Sequence, residues 1–282
     1  MSTPATGGRS LSKSVAVGVL LGAMFLLSVL IYKELFMVLA AAAAGAGAWE
    51  LSSALRLKGW YVPRVPAVVG SVLIMPAAFY GGAELQWLIS LLIVAALILW
   101  RTVHLLWEAR EAPRQALAHT LRDYAASAFV VIYLPLMTSF TMLLLRRPDG
   151  ASWVITFVVT VALIDTAGYL VGRKLGKHKL APGVSPKKTW EGLVASISAG
   201  VISAVILTQV FWDFDWWVGI LLAAVLLLAA VFGDLAESLI KRDLGVKDMS
   251  SWLPGHGGVM DRLDSILPSA LVMYIIVSLF FS

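Results

Sequence analysis

Asp234, Glu237, Ser238 and Lys241 fall at i, i+3, i+4 and i+7, so a helix through them presents all four on one face. Asp261 and Asp264 stand one turn apart where the next helix begins, and can aim together. Between the two sets, Pro254-Gly255-His256-Gly257-Gly258 cannot continue a helix, and its glycines leave backbone N–H groups open to an anion. Arg262 follows at a helix N-terminal end, where anions are already favoured. The acids would attract a divalent cation, while the bases and the glycine turn suit phosphate oxygens. Apolar sequence flanks this polar run on both sides, from Trp217 to Phe232 and from Leu263 to Phe281. A charged loop with a glycine turn explains any one of these residues but not the set. An acid at mid-bilayer costs about 3 kcal/mol and usually marks function.

A second polar island begins at Asp165. Asp165, Tyr169 and Gly172 share a helical face, and Gly168 and Gly172 permit close helix contact. The segment that follows is the most basic of the chain, with Arg173, Lys174, Lys177, Lys179, Lys187 and Lys188 and no acid among them. Ser185-Pro186-Lys187-Lys188-Thr189 precedes a helix and offers hydroxyls, two ammonium groups and a helix N-terminus, the parts of a phosphate grip. Ordinary topogenic charge explains the lysines, but not the Ser-Pro and Thr-Trp-Glu-Gly context.

The elements that must position these residues are membrane helices. The chain has 282 residues, 60% of them hydrophobic and only 14% charged, with a mean hydropathy of +0.86; a soluble domain carries about a quarter charged residues. At about 20 apolar residues per crossing, nine spans are expected: 14–32, 35–54, 66–82, 85–100, 124–145, 152–172, 190–211, 217–240 and 263–281. The first is kept as a helix and not a secretory signal, because no small-residue cleavage site follows it. Placing the N-terminus inside puts every Lys and Arg on the inner side except Lys33, Arg146 and Arg147. The C-terminus then lies outside, and both polar islands lie at the cytosolic edge. The net charge of +5 follows from that bias; it suits anionic lipid and does not suggest nucleic acid. Without cysteine there is no disulfide framework and no thiolate chemistry.

Residues 1–13 read as a short disordered cytosolic tail, and 14–282 as a single transmembrane catalytic domain. Glu50 ends the second span as an interfacial acid, or else lines the same polar cavity. His104 and His119 read as surface histidines, since neither has a second ligand at helical spacing. Pro135 should kink its helix, and Trp212 to Trp217 fit an outer aromatic belt with Asp213 and Asp215 in solvent. Acids for Mg²⁺, lysines for phosphates and an apolar body open to lipid together point to Mg²⁺-dependent phosphoryl or nucleotidyl transfer to a lipid at the inner leaflet.

At these residues the sequence resembles the phosphatidate cytidylyltransferases, or CDP-diacylglycerol synthases. Ser238-Leu-Ile-Lys241-Arg242, Lys247-Asp248, Leu253-Pro254-Gly-His256-Gly257-Gly258 and Asp261-Arg262-Leu-Asp264 match the family signature along its length. The first island is similar to the family's Asp-Thr-x-x-Tyr-x-x-Gly and Ser-Pro-Lys-Lys-Thr-Trp-Glu-Gly segments, with Gly168 where Ala is commoner. The resemblance is sharp over 165–192 and 233–265 and generic over 1–150. It implies an all-helical membrane protein, a homodimer in the cell membrane with a multi-pass fold, and a polar funnel open to the cytosol and to lipid. CTP and phosphatidate are the implied substrates, with Mg²⁺ and K⁺ as cofactors. Asp234, Asp261 and Asp264 would hold the metal, and catalysis would fall to them with Lys241, His256 and Arg262. Substrate contacts would come from Asp165, Tyr169, Ser185, Lys187, Lys188, Thr189, Glu237, Ser238, Arg242, Lys247, Asp248, Gly257 and Gly258.

Two rival readings differ in pattern. A CDP-alcohol phosphotransferase carries Asp-x-x-Asp-Gly-x-x-Ala-Arg followed by further Asp, which this chain lacks. A cation transporter would place acids near mid-bilayer on several helices, whereas here they collect at one edge beside lysines.

Overall fold

A computed structural model describes residues 11–108, 119–181, 185–250, 252 and 257–281. Its elements are α1 (Leu11–Ile31), α2 (Lys33–Leu57), α3 (Arg64–Glu108), α4 (Thr120–Val131), a π-helical turn (Ile132–Leu136), α5 (Met137–Leu145), α6 (Gly150–Leu175), β1 (Lys179–Ala181), β2 (Ser185–Thr189), α7 (Trp190–Trp212), α8 (Trp216–Leu244), α9 (Met260–Leu263) and α10 (Ile266–Phe280). Among the described residues, seven helices are long and apolar enough to cross a membrane.

Two of the nine expected spans lie within α3. Its backbone leaves helical geometry at Gly82, with φ +72° and ψ −162°, a left-handed conformation that glycine adopts without strain. The two arms, 64–81 and 83–108, fold back on each other, since a Cβ on Gly70 would lie 2.5 Å from Ile93. The helix is a hairpin of two crossings with a one-residue corner. Beside the corner lies Arg146, whose guanidinium fills the space a side chain at position 82 would need.

The unit running from α4 through the π turn to α5 forms the centre of the bundle, with 78% of its most apolar window buried. Pro135 has no N–H to give, and the helix around it widens into the π turn. The sequence predicts a kink there; the chain makes a register change. α6 and α7 pack closely through small residues: a Cβ on Gly192 would lie 2.8 Å from the Gly168 carbonyl, and Ser196 Oγ donates to the Ile164 carbonyl at 2.8 Å.

Polar contacts gather at the two ends of the bundle. At one end Lys33 donates to the Arg147 carbonyl at 2.7 Å, and Arg147 donates to the Phe281 carbonyl at 2.6 Å. Trp153 stacks on Trp212 at 3.8 Å, with Phe214 and Phe281 against them. The expected aromatic belt is therefore divided, with Trp212 turned into the bundle and Trp216 and Trp217 exposed. All three basic residues left over by the charge count collect here.

The opposite end is tied by the buried ion pair of Arg101 and Asp123, at 2.7 Å. Asp123 also accepts from the Tyr61 N–H at 3.0 Å. His104 differs from the expectation of a surface histidine: it stacks on Tyr61 at 4.7 Å and meets Arg101 at 3.0 Å. The two arms of α3 end near this network because the Tyr61 turn and Asp123 share it. His119, by contrast, is exposed.

Candidate active site

α8 continues without a break to Leu244 and is closed by Gly245 in the left-handed region, so the face predicted for Asp234, Glu237, Ser238 and Lys241 is formed. Glu237 is fully buried. Its Oε2 accepts from Lys241 Nζ at 2.5 Å, and the same ammonium donates to Asp261 Oδ1 at 2.8 Å. Asp261 Oδ2 in turn accepts from the N–H groups of Met249 and Gly258, at 3.0 and 2.7 Å. Lys241 thus links α8 to Asp261, and Asp261 ties Met249 to Gly258. Gly257, at φ +86°, has no room for a Cβ, which would lie 2.9 Å from Asp261 Oδ2.

The turn is held from a third side by Glu50 of α2. Its Oε1 accepts from Ser250 Oγ at 2.5 Å and Val259 N–H at 3.0 Å, while Oε2 accepts from Met260 N–H at 2.8 Å. Glu50 is 2% exposed, so it is not the interfacial acid of the first sequence reading, and instead of lining the cavity it clamps the segment that carries Asp261. Nothing in the 233–264 stretch announces this partner; an acid within an Ala/Gly-rich helix that runs on to Leu57 is the signal.

The helix breaks between α9 and α10, where Asp264 Oδ1 accepts from the Ser265 N–H at 2.7 Å. That break leaves Val259, Asp264 and Ser265 all in helical conformation, so Asp261 and Asp264 stay one turn apart and both act on Glu237. Asp264 also acts on Asp234 and Asp165.

The second island arrives from α6 and the basic segment. That segment is an antiparallel β-hairpin, with Lys179 opposite Thr189 and Ala181 opposite Ser185, where a loop is expected. Lys188 of β2 is ion-paired with Asp234 of α8, so the two islands meet. Asp165 lies among Asp264, Asp234 and Lys188 and bonds to Ser265. Thr189 caps α7, accepting from the Gly192 N–H at 3.1 Å. His178 and Glu191, which the sequence does not single out, pair at 2.7 Å and pin the hairpin to α7.

The remaining expected residues are placed less centrally. Tyr169 is exposed, its hydroxyl accepting from Arg173 at 3.1 Å. Ser238 is half-buried, and Arg242, Lys247, Asp248 and Arg262 are exposed around the rim. Ser185 and Lys187 belong to β2, and their side chains lie outside the described part of the structure; His256 lies outside the described residues altogether.

Asp165, Asp234, Glu237 and Asp264 converge with Lys188 and Lys241, so carboxylates outnumber the ammonium groups they face. Among the described residues no three Asp, Glu or His form a cage that could hold a metal by itself. Asp261 has both oxygens committed to Lys241 and the turn. Glu237 Oε1, by contrast, is buried without a hydrogen-bond donor. This donor set fits a cation held by one or two carboxylates and completed by water and phosphate, which is how Mg²⁺ binds beside a nucleotide.

Such a constellation of acids, lysines and a glycine turn at one end of an apolar bundle is suited to phosphoryl chemistry on a lipid. The chain belongs to the cytidylyltransferase family, which it matches over residues 12–280. It is 36% identical over 286 residues to a phosphatidate cytidylyltransferase of Mycobacterium leprae (strain TN), spanning 96% of this chain and 89% of that one. It is 33% identical over 278 residues to the phosphatidate cytidylyltransferase of Mycobacterium bovis (strain ATCC BAA-935 / AF2122/97), spanning 96% and 90%. A Brucella suis protein of the same name is 37% identical over 145 residues, about half of each chain, at 51% and 54%.

Proposed function

We propose that this protein is a phosphatidate cytidylyltransferase, making CDP-diacylglycerol and pyrophosphate from CTP and phosphatidate. The observation that carries the reading is the Lys188–Asp234 ion pair, which joins the basic hairpin to the acidic face of α8 in a chain of this family. A phosphate oxygen of phosphatidate attacks the α-phosphorus of CTP. The new P–O bond forms as the α–β phosphoanhydride bond breaks, and the electron pair leaves on pyrophosphate. No protein nucleophile is needed, so the residues act by positioning and by neutralising charge.

Lys188 and Lys241 are held by carboxylates that aim their ammonium groups into the cluster. An entering phosphate competes with Asp234 for Lys188 and gains a charge-assisted bond. Asp261 and Glu50 together take the N–H groups of Gly258, Val259 and Met260 and so fix the segment that carries Asp261. Asp234, Asp264 and Glu237 would hold Mg²⁺, with K⁺ as a companion cation. When bound, Mg²⁺ supplies charge neutralisation on the phosphates.

The distribution of Lys and Arg supports a site on the cytoplasmic side of the cell membrane, and the family resemblance supports a homodimer. Purified protein incubated with labelled CTP, phosphatidate and Mg²⁺ should release pyrophosphate and form CDP-diacylglycerol in equal amounts. Turnover with another lipid acceptor and none with phosphatidate would refute the assignment.

A further inference from the structure

The hydroxyl of Tyr133 is a buried donor with nothing to bond among the described residues. The residue is 8% exposed, and its ring stacks on Phe129 at 5.1 Å and 15°. A buried, unmatched hydroxyl costs about 1–3 kcal/mol, and phenylalanine would fill the same space without that cost. What faces the phenol is the acid cluster: Glu237, Asp264 and Asp234 all act on it electrostatically. Glu237 has the complementary deficit, since its Oε1 is buried and also lacks a partner. The phenol and Glu237 thus act on one another, and each lacks a hydrogen-bond partner among the described residues.

Tyr133 sits in the π-helical turn Ile132–Leu136, a local rearrangement frequent at functional sites. The turn lies in the most buried span of the bundle, so the ring has little freedom to swing away.

We propose that Tyr133 is a further substrate-contacting residue of the transfer site, its phenolic hydrogen held for a phosphoryl oxygen of a bound substrate. This inference rests on the cytidylyltransferase reading. A lysine at this position would be captured by the acids, as Lys241 is by Glu237 and Asp261. A neutral phenol stays available to an arriving anion. The Tyr133 hydroxyl and Glu237 Oε1 each lack a partner among the described residues, and a ligand that brings an acceptor for the one and a cation for the other matches both. A phosphate with its counter-cation meets both needs, and an acyl chain meets neither. Tyr133 makes and breaks no covalent bond.

The test is Tyr133→Phe, which removes one oxygen and leaves the ring. Turnover should fall about 10- to 150-fold in kcat/KM, the effect of losing a hydrogen bond to a charged group. The melting temperature should stay equal or rise. A raised KM for CTP alone assigns the contact to the triphosphate, a raised KM for phosphatidate alone to the lipid phosphate, and a lowered kcat to the transition state. Phe129→Leu, which loosens the ring's packing and keeps the hydroxyl, should lower the melting temperature with kinetics near the parent's. Parental kinetics in Tyr133→Phe would overturn the inference and leave the cytidylyltransferase reading standing. So would a lowered melting temperature with parental kinetics, which would mean a structural bridging water. If the parent forms no CDP-diacylglycerol, that reading fails by itself. The phenol is then judged from thermal stabilisation by Mg²⁺ with CTP, pyrophosphate or phosphatidate micelles: a smaller shift in Tyr133→Phe supports it, and equal shifts refute it.

Discussion

Lys188 on β2 and Asp234 on α8 form an ion pair that closes the site between two segments far apart in the chain. Their side chains are 24% and 31% exposed, so the pair is desolvated enough to be held and open enough for a phosphate to reach. Replacing Lys188 with Gln should lower kcat/KM by about 10- to 150-fold, the effect of one lost charge-assisted contact. The protein should still insert correctly, because the other inner-side basic residues keep the charge bias. Steady-state kinetics on the purified variant check this, and parental values would remove Lys188 from the site.

Asp234→Asn and Asp264→Asn should abolish most turnover while leaving the melting temperature near the parent's, since an amide oxygen can still accept the Ser265 N–H that Asp264 takes and Asp234 bonds no backbone N–H among the described residues. Chelating Mg²⁺ should silence the parent, and added Mg²⁺ should restore it. Asp261→Asn should behave differently, losing stability as well as activity. Its two oxygens take three donors from Lys241, Met249 and Gly258, and an amide offers one acceptor oxygen. If Asp234→Asn and Asp264→Asn both kept near-normal rates at saturating Mg²⁺, these acids would not hold the metal.

Glu50→Gln keeps the shape of the side chain but halves its acceptor oxygens, and three donors from the glycine turn depend on them. The expected loss is about 1–3 kcal/mol of stability, seen as a lower melting temperature. Limited proteolysis should show faster cleavage between Gly245 and Gly258. A variant as protease-resistant as the parent would mean that the clamp does not secure the turn.

Asp123→Asn should destabilise the protein by about 3–5 kcal/mol, because it leaves Arg101 as an uncompensated buried charge. Denaturation of the detergent-solubilised protein measures this. A change under 1 kcal/mol would mean that water reaches the Arg101 guanidinium.

Orientation is tested with single cysteines in a parent that has none. Asp243 and Pro148 are exposed near opposite ends of the bundle. An impermeant maleimide should label Asp243→Cys in inside-out vesicles alone and Pro148→Cys in intact cells. The reverse pattern would invert the topology.

Local sequence carries much of this. The helical spacing of Asp234, Glu237 and Lys241 required a shared face, and α8 provides it, because a helix's geometry is periodic and independent of its neighbours. Seven helices long and apolar enough to cross a membrane among the described residues were legible from apolar length, one of them holding the two expected spans that meet at Gly82. The basic residues at the two ends of the bundle followed from charge alone.

What the sequence could not decide were relationships between segments, and a few local breaks. Asp261 and Asp264 look equivalent in the sequence, but Asp261 is committed to Lys241 and to the N–H groups of Met249 and Gly258, while Asp264 lies among Asp234, Glu237 and Asp165. The partner of the glycine turn is Glu50, from a helix that nothing in the turn's own sequence names. Tyr133 reads as one more aromatic in an apolar span until the fold brings it within the electrostatic reach of Glu237. Periodicity fixes which residues share a face of one helix. Which helix lies opposite that face depends on packing and on matching buried donors with acceptors across the bundle, and only the tertiary structure settles that.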